Sequence, residues 1–308
     1  MATASTQAPP GTGFAAAFAA LCAGAVAMGI SPVFVRYSSA DVGPFASAFW
    51  RVALAMPVLY AWMRIEEGRA PASAPRRRFG RATILSGVAF AGDLFFWHLA
   101  IFNTTVANAT FFGTTAPLFV ILITWLVLRQ RIASSTVLGL ALCLLGGAAI
   151  IGQSLQVDPA RLKGDLYGIA TAFFFGLYFL TVSRARESAG AARVTFEASV
   201  ITSAVLFVVA LGLEPHILPR TWTGAAALLA MAWVSHAGGQ GLLVFALGRL
   251  PAVFSSLVIF LEALAAALFG WVLLGEALTL PQALGGALIL LGIWTARPRS
   301  GSGSAPAS

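Results

Sequence analysis

Charge is scarce in this sequence. Asp, Glu, Lys and Arg make up 10% of its 308 residues, where a soluble domain carries about 25%. Cysteine is nearly absent. Cys22 and Cys143 each lie in an apolar stretch, and neither their number nor their spacing makes a disulfide framework. Histidine is rare as well. His98 and His236 stand apart from any Cys, His or Asp at ligand spacing, so neither a metal nor a cofactor is expected. No zinc-protease motif, phosphate loop or nucleophile–base pair is visible, which argues against an intramembrane enzyme or an ATPase. The first ten residues hold no Lys or Arg and a long apolar stretch follows, so a cleavable signal peptide is not expected.

What the chain has in quantity is apolar sequence, 59% of its residues. Runs of roughly 20 apolar residues recur, each long enough to cross a hydrocarbon core of about 30 Å. They fall at 14–36, 43–63, 82–102, 105–128, 134–152, 164–183, 194–213, 222–245, 251–274 and 279–297. The expected fold class is therefore an all-α membrane protein with ten transmembrane helices. The tails, 1–13 and 298–308, read as flexible, the second being rich in Gly, Ser, Ala and Pro.

The net charge of +8 belongs to this topology rather than to nucleic-acid binding, because the arginines are scattered between apolar spans. With the N-terminus placed in the cytoplasm, fourteen basic residues fall on the inside. Six of them, Arg64, Arg69, Arg76, Arg77, Arg78 and Arg81, flank or fill the longest connection. Four fall outside (Arg36, Arg161, Lys163 and Arg220), and Arg51 lies within a span. Positive charge marks the cytoplasmic face, so both termini are expected there, in a multi-pass protein of a bacterial inner membrane.

A shift of 146 residues aligns Ala100–Gly146 with Ala246–Gly292 without a gap. It superimposes Trp125 on Trp271, Gly139 on Gly285 and Gly146 on Gly292. Each half, 14–152 and 164–297, holds five spans. Since five is odd, the second half must enter from the opposite side. The chain thus reads as two inverted five-helix repeats, an arrangement that places a binding site near the midplane between halves.

The residues carrying a family likeness are Gly43-Pro44-Phe45, Trp50-Arg51, Ala100-Ile101 and Ala116-Pro117. In the second copy they are Ala246-Leu247, Leu250-Pro251-Ala252, Glu262, Leu274-Gly275-Glu276, and Gln282 with Gly285. In this pattern the chain resembles the drug/metabolite transporter superfamily, in its ten-helix EamA-type branch, over residues 14 to 297. Within the branch it is similar to bacterial aromatic and neutral amino-acid exporters. It departs from the branch where Glu262-Ala263 stands for a common Glu-Pro, and where Arg129-Gln130 replaces the Gly-Glu of the first copy. The resemblance implies that spans 1, 3, 4, 6, 8 and 9 surround a central cavity while 5 and 10 lie outside.

Ionisable groups inside a bilayer are costly and are functional candidates by default. Asp93 sits mid-span with Trp97 one turn on along the same face and His98 beside it. Glu262 lies mid-span in the ninth helix and faces the same choice as Asp93. Each fits a contact for a substrate ammonium or a proton carrier, or else a buried carboxyl satisfied by helix ends and hydroxyls. Arg51 and Glu197 read as a structural ion contact or headgroup anchors, and His236 as a packing residue more than a ligand. With the spans named above, the substrate-binding candidates are Pro32, Asp93, Trp97, His98, Asn108, Phe111, Thr115, Tyr178, His236, Gln240 and Glu262.

The expected function is export or facilitated passage of small amphipathic metabolites, aromatic or neutral amino acids first, by alternating access. The partners are a small-molecule substrate and the lipid bilayer, with no nucleic acid, and proton coupling remains an open alternative. Cationic drugs are the second reading of the same cavity. Phosphorylated substrates are disfavoured, since Arg51 alone is basic within a span.

Overall fold

The computed structural model describes residues 12–38, 41–69, 78–104, 106–152, 162–274 and 279–298. Among these the chain is helical throughout its spans and contains no strand. Among the described residues nine helices are long and apolar enough to cross a membrane. The first five are α1 (Gly13–Ser38), α2 (Pro44–Arg69), α3 (Arg81–Asn103), α4 (Asn108–Leu126) and α5 (Ser134–Ile151). The next four are α6 (Leu162–Arg186), α7 (Ala191–Leu213), α8 (Trp222–Leu247) and α9 (Ala252–Phe269). The tenth, α10 (Leu280–Thr295), is apolar and shorter. The expected tails lie largely outside the described residues, as do Arg76, Arg77 and the loop Gly275-Glu276-Ala277.

The largest difference in boundary is in α2, which runs on to Arg69 rather than stopping near 63. Apolar length sets where a span leaves the membrane. Helix propensity sets where the helix ends, and Arg64-Ile65-Glu66-Glu67 continues it readily.

Several spans are broken near their middles. A proline lacks the amide hydrogen and its ring meets the carbonyl four residues back. The breaks sit accordingly at Ile30 ahead of Pro32 in α1, at Leu54-Ala55 ahead of Pro57 in α2, and at Thr115 ahead of Pro117 in α4. In α9 the position equivalent to Pro117 is Ala263, yet the helix still breaks at Ile259-Phe260. There the turn tightens, with Ile259 N donating to Ser256 O and Phe260 N to Leu257 O. In α8 the stretch Met231–Gln240 is a π-helix that includes Gly238 and Gly239. Broken backbone at this depth survives where it is buried in protein or faces a cavity.

The two-fold relation between halves is written in their contacts. Helices α5 and α10 lie against each other with almost no side chain between them. A Cβ on Gly139 would come within 2.6 Å of Gly292 O, and one on Gly146 within 2.5 Å of Gly285 O. Because Gly139 matches Gly285 and Gly146 matches Gly292, these are two copies of a single contact. Lipid tails are as apolar as the helices, so association rests on such close approach of small residues. Trp125 and Trp271, also matched, are 59% and 51% exposed and face outward from the helix bundle.

Helices α2 and α7 cap each other in the same reciprocal way. At one end Glu66 of α2 accepts hydrogen bonds from Ala192 N at 3.1 Å and Arg193 N at 3.3 Å. At the other end Glu214, just past α7, accepts from Phe45 N at 2.9 Å. A carboxylate at a helix N-terminus satisfies free amides and complements the helix dipole. The N-cap residues are Gly43 and Gly190, and a Cβ on either would collide with the capping carboxylate.

Candidate functional site

A cavity opens where the broken helices meet, and both halves build it. The first half contributes Arg51 from α2, Asp93 and Trp97 from α3, and Thr110 and Thr114 from α4. The second contributes Thr171 and Phe175 from α6, Gln240 from the π-helical part of α8, and Glu262 from α9. The volume open to the centres of water molecules is about 30 Å³, room for two or three waters by the usual measure.

Three charged groups meet here. Arg51 is 5% exposed and Asp93 6%, and Arg51 lies within electrostatic reach of both Asp93 and Glu262. The Arg51 guanidinium carbon stands 5.4 Å from the centroid of the Trp97 ring, within cation–π range. Among the described residues no ion pair or hydrogen bond joins any of the three to another protein group, and Arg51 Nε is buried without a partner. Thr110 Oγ1, Thr171 Oγ1 and Gln240 Oε1 line the same cavity and are likewise unpartnered. Buried polar groups in folded proteins are ordinarily satisfied. A concentration of unsatisfied ones around one cavity points to a polar ligand that completes them.

Four of the eleven sequence candidates line this cavity: Asp93, Trp97, Gln240 and Glu262. The others stand around it. Pro32 is buried beside the α1 break. His98 bonds through Nδ1 to Leu94 O at 2.8 Å. His236 meets Ser199 Oγ through Nε2 at 2.9 Å and stacks on Phe90, a packing role. Tyr178 packs on Phe90 with centroids 4.7 Å apart and sits behind Phe175. Asn108 donates to Asp165 at 3.1 Å, tying α4 to the start of α6. Phe111 covers Gly147 of α5. Thr115 turns its hydroxyl back to Phe112 O at 2.6 Å, sealing the α4 break.

Arg51 reads in the sequence as a structural ion contact or headgroup anchor, whereas the structure buries it beside Trp97 on the cavity wall. Its signal was available: it is the one basic residue within a span. Glu197 matches the structural role expected of it. It accepts from Phe79 N at 2.8 Å and pairs with Arg193 at 3.2 Å, and Arg193 also pairs with Glu67.

The sequence profile of EamA-like transporters matches residues 15–152 and 162–296, one copy for each half. The chain belongs to the EamA-like transporter family. Two uncharacterized transporters from Archaeoglobus fulgidus are similar along nearly their whole length. One is 27% identical over 281 residues, covering 89% of this chain and 94% of the relative. The other is 24% identical over 267 residues, covering 85% and 90%. A solved structure titled "Crystal structure of protein" superimposes with a TM-score of 0.78 at 17% identity, over 92% of this chain and 97% of its own. That likeness concerns the fold. Membership in the family places this EamA-like chain in the drug/metabolite transporter superfamily and makes it a multi-pass membrane transporter with two inverted repeats.

Proposed function

We propose that this transporter exports or facilitates the passage of small amphipathic metabolites, aromatic or neutral amino acids foremost. It works by alternating access in a bacterial inner membrane, with both termini in the cytoplasm. The observation that carries this reading is the cavity between the halves, where charges of both signs stand beside aromatic walls. A neutral amino acid needs an anion for its ammonium, a donor for its carboxylate and an apolar surface for its side chain. Asp93 and Glu262 supply the first, and Trp97 and Phe175 supply the last. The mixed sign favours a zwitterion over a cationic drug. The cavity lies between equivalent broken helices of two inverted halves, the setting in which rocking one half against the other exposes a site alternately to each face.

A ligand that binds only the folded protein raises its melting temperature. Purified protein in detergent, heated with a panel of amino acids and cationic drugs, is therefore expected to be stabilised by aromatic or large neutral amino acids. Stabilisation by cationic drugs alone would overturn the substrate assignment and leave the transporter fold untouched.

A further inference from the structure

We infer that Arg51 is the residue that selects for a carboxylate on the substrate, so that the cavity prefers an α-amino acid to the corresponding amine. This rests on the amino-acid reading above and goes beyond it, because it assigns the carboxylate to one side chain.

Arg51 is a guanidinium, charged at any physiological pH, and it is buried in the membrane-spanning part of α2. An ion in such a place is costly unless paired and hydrogen-bonded. Two acids face it, yet neither comes within ion-pair distance, and among the described residues none donates to or accepts from any of the three. If Arg51 served only to neutralise Asp93 and Glu262, the three groups would close on one another. Instead all three line the same cavity.

The guanidinium carbon also stands over the Trp97 ring, 5.4 Å from its centroid. The neighbouring Trp50 anchors this turn of α2 by donating its indole hydrogen to Ile217 O in the other half. A planar fork of donors beside an aromatic ring suits a carboxylate, which accepts two parallel hydrogen bonds. Asp93 and Glu262 then remain for the ammonium, with Thr110, Thr171 and Gln240 free to complete its polar contacts. Arg51, Asp93 and Trp97 come from one half and Glu262 from the other, so a zwitterion bound this way ties the halves together.

The test compares three probes that differ by one group: phenylalanine, phenethylamine without the carboxylate, and 3-phenylpropionate without the ammonium. Affinities are read by thermal stabilisation of the full chain in detergent. Wild type is expected to bind phenylalanine more tightly than either partial probe. In Arg51→Gln the preference for phenylalanine over phenethylamine should fall on the order of 10- to 100-fold, the range of a charge-assisted hydrogen-bond pair. Phenethylamine binding should persist. Arg51→Lys, which keeps the charge and loses the fork, should retain part of the preference, and it replaces Arg51→Gln if that variant does not fold. An unchanged preference in these variants would overturn the inference. So would a wild type that binds phenethylamine better than phenylalanine, an outcome that leaves a transporter of amines. Binding of none of the three would instead defeat the amino-acid reading itself, and this inference with it.

Discussion

Asp93→Asn is expected to fold and to lose most of its affinity for substrate. The change preserves shape and removes a carboxylate that makes no hydrogen bond or ion pair among the described residues. A charge-assisted hydrogen bond is worth about 1.5–3 kcal/mol, so affinity should fall roughly 10- to 100-fold. Thermal stabilisation by substrate should fall with it. Counterflow across proteoliposomes separates two roles. If Asp93 holds the substrate, both counterflow and gradient-driven transport fail. If it carries a proton instead, counterflow persists and only proton-driven transport is lost. A variant that binds and transports as wild type does would show Asp93 to be a buried structural carboxyl.

Gly146→Leu is expected to have the largest effect on stability. A Cβ at that position would lie 2.5 Å from Gly285 O and 2.9 Å from an Ile289 side-chain carbon. Helices α5 and α10 would have to separate, because Gly285 O and Ile289 N, the latter also 2.9 Å from that Cβ, are backbone atoms that cannot step aside. Overpacking of this kind costs about 1–3 kcal/mol or more. The repeat gives the prediction a second arm, because Gly292→Leu would press on Gly139 O and Cys143 in the equivalent contact. The two variants should lower the melting temperature by similar amounts. Leu145→Ala, one residue away on the exposed side of α5, should change it little. A small effect of Gly146→Leu would mean that the two helices do not pack this closely in the protein.

The helices and their repeat were legible in the sequence because apolar length and a fixed offset survive in one dimension. The offset aligned Gly139 with Gly285 and Gly146 with Gly292 but could not say that these pairs touch. That follows only when the two outer helices are laid side by side. Asp93 and Glu262 stood out in the sequence because charge inside a bilayer is conspicuous, and both line the cavity with Trp97. Arg51 was equally conspicuous, but its place beside Trp97 on the cavity wall is a three-dimensional fact. Asn108 shows what one dimension leaves out. Its depth in α4 suggested the cavity, but a carboxylate on a distant segment, Asp165, takes its amide. In the run Phe173-Phe174-Phe175, only Phe175 lines the cavity, while Phe173 is exposed on the opposite side of the helix. A run of like residues does not reveal which one faces inward until a neighbouring helix fixes the rotation.

The central claim is that substrate sits between two inverted halves and is passed from one face to the other. Counterflow tests it most directly. Proteoliposomes of purified protein are loaded with unlabelled phenylalanine, and the uptake of external labelled phenylalanine is followed without an imposed ion gradient. Transient accumulation above the level of empty liposomes is the predicted result. Liposomes that gain no label with phenylalanine or with any other neutral amino acid, although the protein is folded, would contradict it.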